Sequence, residues 1–135
     1  MIDFYVLTSP NVQKIFIMLE ELAVPYRPIP VDVWQGEQFK PEFTALNPNA
    51  KIPVIVDPEG PGGKPFTVFE SGAILMYLAD KFGRSLPAGA AERYEVIQWL
   101  MLRCSSLPAL ARPLARWCIS CASRRPVTII QRAAT

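Results

Sequence analysis

Three short stretches of this chain carry side chains that could do chemistry. Ser9, Pro10 and Asn11 close an apolar run and open a helical pattern, so polar side chains and backbone amides gather at a helix N-terminus. Such a place can hold an anion, a thiolate included, because unpaired N–H groups and the helix dipole both favour negative charge. Glu70 and Ser71 repeat the arrangement at a second strand-to-helix junction. Ser71 can cap that helix, and its hydroxyl and amide can also bind a carboxylate, while Glu70 can accept from an ammonium group. Between the two junctions lies Lys51-Ile52-Pro53, a cation followed by an Ile-Pro pair. Plainer purposes stay open: Ser9 as a cap alone, Pro53 as an edge-strand proline, Lys51 as a solvated lysine. Capping explains Ser71 but gives no reason for an acid at Glu70.

What is missing narrows the chemistry. The chain contains no His, which removes His-dependent triads, His-bound zinc and imidazole bases together. Its three Cys (Cys104, Cys118, Cys121) all fall late, so no disulfide framework holds the body. Non-metal chemistry is the expectation. The start, Met1-Ile2-Asp3-Phe4, lacks the basic and apolar parts of a signal peptide, and no run approaches the ~20 apolar residues of a membrane span. A cytoplasmic protein without a membrane or nucleic-acid partner is therefore expected.

The elements that must position these residues follow from periodicity. With 135 residues, half of them hydrophobic, the chain has room for one domain, or one domain and part of a second. Residues 2–7 are apolar and β-leaning, and read as a first strand. Val12, Ile15, Phe16, Leu19 and Leu22 recur at helical spacing, which predicts an amphipathic helix over 10–22 with Ser9 as N-cap. A second strand is expected over 25–33 and a short helix over 38–46, closed by Asn47-Pro48-Asn49. Residues 52–56 and 66–69 form a hairpin around a Gly- and Pro-rich turn. Residues 71–82 return to helical spacing with Gly83 as a stop, and another helix is expected over 90–102. The order strand-helix-strand-helix-strand-strand-helix, with a right-handed first crossover, predicts an α/β fold: a four-stranded mixed sheet flanked by helices.

Charge divides the chain where the elements end. Every Asp and Glu lies at or before Glu95, whereas from Arg103 onward each charged residue is Arg. The net charge of +2 thus averages an acidic body and a basic tail. Pro108, Pro113 and Pro126 would interrupt any long helix in that tail. We read 1–85 as the site-bearing domain, 86–102 as a linker and the first helix of a second domain, and 103–135 as an atypical basic tail. A frame-shifted or otherwise aberrant end is expected there; a basic segment for an anionic partner is the alternative.

Ile52-Pro53 followed by Phe69-Glu70-Ser71-Gly72-Ala73-Ile74 resembles the paired glutathione-binding signature of glutathione S-transferases. Ser9-Pro10-Asn11, Gly36-Glu37-Gln38-Phe39-Lys40-Pro41-Glu42-Phe43 and Asn47-Pro48 are similar to the branch that includes Nu-class enzymes and Ure2-like proteins. The resemblance covers residues 1–102. It implies a thioredoxin-like domain, glutathione as substrate, and the start of an all-helical domain that in full-length members builds most of the electrophile pocket; a homodimer is expected for full-length members. It also implies a cis peptide before Pro53, which would turn the Ile52 backbone toward the cysteine unit of glutathione. Ser71 and Glu70 would take the γ-glutamyl carboxylate and ammonium, and Lys51 and Gln38 the glycine carboxylate and peptide groups. Asn11 and Ser9, rather than Tyr5, would hold the thiolate.

Two kinds of function are then expected. One is an enzyme that transfers glutathione thiolate to a small electrophile or reduces disulfides with it. The other is a non-catalytic glutathione-binding or regulatory module, or an inactive fragment. A redox centre at Cys118-Ile119-Ser120-Cys121 is disfavoured, because such a motif belongs at the first strand-helix junction, which here carries Ser9-Pro10-Asn11.

Overall fold

The computed structural model describes residues 1–105, and the chain divides into two units, Met1–Arg84 and Ser85–Thr135. The basic tail from 106 on, with Cys118 and Cys121, lies outside the described residues. In the first unit the elements are β1 (Ile2–Val6), α1 (Pro10–Glu21), β2 (Tyr26–Pro30), α2 (Pro41–Thr44), β3 (Val54–Asp57), β4 (Phe66–Phe69) and α3 (Ser71–Phe82). The four strands form one sheet in the order β2-β1-β3-β4. β1 and β2 run parallel, and the other two pairings are antiparallel. This is the four-stranded mixed sheet that the order of elements predicts, in the thioredoxin-like arrangement that the resemblance implies.

Alternation along β1 sorts the two faces of the sheet. Ile2, Phe4 and Val6 are buried and point one way, while Asp3 and Tyr5 are half-buried and point the other. On the first face α1 contributes Val12, Ile15, Met18 and Leu19, and α3 contributes Ile74, Leu78 and Ala79. Phe4 anchors that side, with the Phe16 ring edge-on at 4.9 Å. On the second face Val31, Phe43 and Val54 form a smaller buried cluster, packed by Tyr5, Val33, Leu46 and Ile52.

Most departures from the sequence reading trace to proline and aspartate. β2 ends at Pro30 rather than 33, because Asp32 Oδ1 accepts from the N–H groups of Trp34 and Gln35 and turns the chain. The helix expected over 38–46 is split into a short 3₁₀ turn, Glu37–Phe39, and α2. Pro41 forces Lys40 into an extended conformation (φ −63°, ψ 144°), so no helix can pass through it. Pro28 and Pro30 lack N–H donors, which suits the edge position of β2. α3 has the expected bounds and stops at Gly83, whose φ of 62° is left-handed.

The pairings also decide where the loops meet. Tyr5, one residue before the end of β1, pairs with Val54 at the start of β3, and Val54 pairs with Phe69 at the end of β4. The segments just beyond these three residues are therefore brought to the same end of the sheet.

The second unit contributes α4 (Ala90–Ser105), which runs past Arg103, where the atypical tail was expected to begin. No helix among the described residues is long and apolar enough to cross a membrane.

Candidate functional site

At that end of the sheet a small open cleft, enclosing about 60 Å³, is lined by Asn11, Asn47, Lys51, Ile52, Pro53, Glu70 and Ser71. Six of the eight residues singled out from the sequence meet there. Ser9 and Gln38 are not among its lining.

The first wall is the N-terminus of α1. Ser9 is its N-cap, with extended backbone (φ −156°, ψ 155°), and its Oγ accepts from Val12 N–H at 3.2 Å. That bond uses one lone pair of the Ser9 hydroxyl and leaves its O–H able to donate. Pro10 has no N–H, so Asn11, exposed in the first turn, brings both its side-chain amide and a backbone donor to this wall. No acidic residue stands in the first turn of α1 to neutralise the dipole.

The second wall is the segment leading into β3. The Ile52–Pro53 peptide bond is cis, as the resemblance implies. Pro53 is buried, Ile52 half-buried and Lys51 exposed. The loop before them is fastened by Asn47, which is 1% exposed. Its Nδ2 donates to the Lys51 carbonyl at 2.7 Å, and its Oδ1 accepts from Asn49 N–H at 3.0 Å. Ala50, inside this loop, has a φ of 51°.

The third wall is the start of α3, and here one expectation is corrected. Ser71 does not cap the helix. Glu70 occupies the cap position with φ 67° and ψ 118°, and no side-chain capping bond forms. Ser71 is the first helical residue, buried, and its hydroxyl is not spent on the helix end. With no acid in the first turn, the amides of α3 keep their affinity for an anion. A non-Gly residue at the positive φ of Glu70 is strained, and strain of this kind gathers at sites of function. The Glu70 carboxylate accepts from Asn49 Nδ2 at 3.3 Å, which ties the second wall to the third.

The two remaining polar residues lie elsewhere. Gln38 sits in the 3₁₀ turn, and its Oε1 is buried without a partner. The neighbouring Glu37 carboxyl is held below the usual range, chiefly by the hydrogen bond from Lys40 and then by the Asp32 N–H. Tyr5 turns away from the cleft. Its ring meets Phe43 edge-on at 6.0 Å and lines a separate cavity of about 170 Å³ with Ile29, Val31, Phe43 and Leu46.

Asn47 and Asn49 are the residues that the sequence reading left as a loop closure. Their signal was present: Asn-Pro-Asn directly before the Lys-Ile-Pro stretch offers side-chain amides to a turn that must be held open. Among the described residues no group of three His, Cys, Asp or Glu could hold a metal ion.

Comparison with known proteins follows the same outline. Residues 8–81, more than half of the chain, match the family described as glutathione S-transferase, N-terminal domain. The chain is 48% identical over 108 residues to the disulfide-bond oxidoreductase YfcG of Escherichia coli (strain K12), which covers 79% of this chain and 50% of that protein. A glutathione transferase family member from Pseudomonas fluorescens, solved with two glutathione bound, matches with a TM-score of 0.73 and 52% identity. That match covers 76% of this chain and 45% of the other. The glutathione transferase URE2P6 from Phanerochaete chrysosporium, in complex with oxidized glutathione, matches with a TM-score of 0.69 and 36% identity over 77% of this chain and 48% of that one. The chain spans about half the length of the relatives it matches. By its matched domain and by the sheet that builds the cleft, it belongs to the glutathione S-transferase family.

Proposed function

We propose that the cleft binds glutathione and presents its thiolate for transfer. The observation that carries this reading is the meeting of two helix N-termini and the Lys51–Ile52–Pro53 main chain around one small opening. Each wall suits a different part of the tripeptide. The amides of α3 and the uncommitted Ser71 hydroxyl take the γ-glutamyl carboxylate, and Glu70 accepts from the α-ammonium group. The Ile52 backbone pairs with the cysteine unit as an added strand would. Lys51 meets the glycine carboxylate. Gln38, outside the cleft lining and with its Oε1 buried, takes no part in this reading. The cleft is far smaller than the tripeptide, so most of the ligand lies along open surface.

Asn11 then faces the sulfur. Its side-chain amide and the amides at the start of α1 favour the thiolate over the thiol, which lowers the thiol pKa and supplies the nucleophile. With an electrophile, the sulfur forms a bond to carbon as a leaving group departs. With a disulfide, the first thiolate attacks one sulfur and releases the other as a thiolate, which takes up a proton. A second glutathione resolves the mixed disulfide, giving glutathione disulfide and the second free thiol. The disulfide-bond oxidoreductase name of the E. coli relative and the two glutathiones held by the P. fluorescens relative favour this second course.

Calorimetry of the full chain with glutathione and with cysteinylglycine, which lacks the γ-glutamyl unit, tests the reading. Glutathione should bind at least ~10-fold more tightly, the worth of one charge-assisted contact. Equal affinities, or no binding of glutathione, would overturn it. Tight binding without turnover of disulfides or aryl halides would identify a binding module rather than an enzyme.

A further inference from the structure

We propose that Asn49 is a positioning residue that sets the Glu70 carboxylate before the ligand arrives. The inference rests on the glutathione reading of the cleft and extends it to a residue that does not line the opening.

Three hydrogen bonds in series carry it. Asn47 is buried and uses both ends of its amide on main chain: Nδ2 donates to the Lys51 carbonyl and Oδ1 accepts from Asn49 N–H. The Ala50 N–H also donates to the Asn47 carbonyl at 2.9 Å, so the loop is fastened to itself on two sides. The backbone of Asn49 is thereby fixed, and its side chain reaches the Glu70 Oε1 from a buried anchor. Lys51 and Glu70 bear the opposite charges of the cleft and come from separate segments of chain. The Asn47–Asn49 pair is a physical link that holds one relative to the other.

Glu70 needs such a tether. It is exposed, with three rotatable side-chain bonds, and its positive φ takes it out of helical geometry, so α3 does not choose its direction. Asn49 donates to Oε1 and leaves Oε2 to accept from a ligand ammonium group. A carboxylate ordered in advance loses less conformational freedom on binding than a free one.

The test is a double-mutant cycle on the full chain, read by glutathione calorimetry. Asn49→Ala should weaken binding about 2–10-fold, the range expected for ordering one flexible side chain. In a Glu70→Ala background the same change should add less than about two-fold, because the residue through which Asn49 acts is gone. Equal losses in both backgrounds, or no loss in the parent, would overturn the proposal. A ligand-free measurement separates its failure from that of the glutathione reading. The Asn49 side-chain amide resonances should shift on Glu70→Ala whether or not glutathione binds. Unmoved resonances would overturn the tether, whereas a parent chain that binds no glutathione would overturn only the reading beneath it.

Discussion

The hydroxyl of Tyr77 donates to Asp57 Oδ2 at 2.6 Å, and Lys81 Nζ donates to the same oxygen. Asp57 closes β3 at 2% exposure, and its Oδ1 accepts from Glu59 N–H at 3.0 Å. Lys81 also donates to the Glu59 carbonyl at 2.8 Å. One buried carboxylate thus clamps the β3–β4 turn to α3, the helix whose other end forms a wall of the cleft.

That clamp should make stability depend on acid. Burial alone would raise the Asp57 pKa, but the hydrogen bonds from Lys81, Tyr77 and Glu59 N–H, with the Lys81 charge, outweigh it and hold the carboxyl below its ordinary value. A carboxyl depressed in the folded state contributes stability that is present above its unfolded pKa of ~4 and lost as pH falls through the folded value. Asp57→Asn should cost ~1–3 kcal/mol near neutrality, since two donors lose a charged acceptor. The gap between parent and variant should narrow in acid. Denaturant unfolding at neutral and at strongly acid pH measures it, and a gap that does not change with pH would contradict the account.

The frame of this molecule was legible because its signals are local. The helical spacing of Val12, Ile15 and Leu19, the stop at Gly83 and the β-branched run of β3 each act within a few residues. Boundaries failed where one residue redirects the backbone, as at Asp32 and Pro41. At the site, the types and spacing of Asn11, Ile52-Pro53 and Glu70-Ser71 were enough to bring them forward. What spacing could not tell was how each side chain is spent. Ser9 and Ser71 look alike in sequence, yet only Ser9 caps its helix, because the strained backbone of Glu70 takes the cap position in the second case. The tie between Asn49 and Glu70 depends on a loop folding back across the cleft, which no local pattern encodes.

For the thiolate, Asn11 and Tyr5 are expected to differ sharply. Asn11 lines the cleft, whereas Tyr5 packs on Phe43 beside another cavity. Asn11→Ala should lower turnover ~10-fold or more, in keeping with a lost hydrogen bond to a charged group. Tyr5→Phe should stay within about two-fold of the parent, as expected for a change away from the reacting atoms. The pH midpoint of thiolate absorbance in the glutathione complex should move back toward ~8.5 in Asn11→Ala alone. Loss of activity in Tyr5→Phe with Asn11→Ala unharmed would reverse the assignment.

Glu70 sets stability against binding. Its φ of 67° with ψ 118° is strained for glutamate and less so for glycine, which has no Cβ. Glu70→Gly should therefore stabilise the fold by ~1 kcal/mol, the strain relieved less the greater backbone entropy of glycine. The same change removes the carboxylate and should weaken glutathione binding ~10-fold or more. Thermal unfolding and calorimetry on one variant read both effects. A variant that melts lower than the parent would mean the Asn49 tether stabilises the fold by more than the backbone strain costs it.

The two serines at helix starts give the sharpest contrast. Ser9 Oγ accepts from Val12 N–H, so Ser9→Ala removes a cap and should cost ~1 kcal/mol of stability. Its effect on glutathione affinity should be small, because Ser9 does not line the cleft. Ser71 makes no cap, so Ser71→Ala should leave unfolding within about 0.5 kcal/mol of the parent. It should instead weaken glutathione binding by ~1–3 kcal/mol, the range for a hydrogen bond to a carboxylate. Each serine is thus expected to move one measurement and spare the other. Should Ser71→Ala unfold more easily while binding glutathione as the parent does, its hydroxyl supports the helix and the γ-glutamyl carboxylate rests elsewhere.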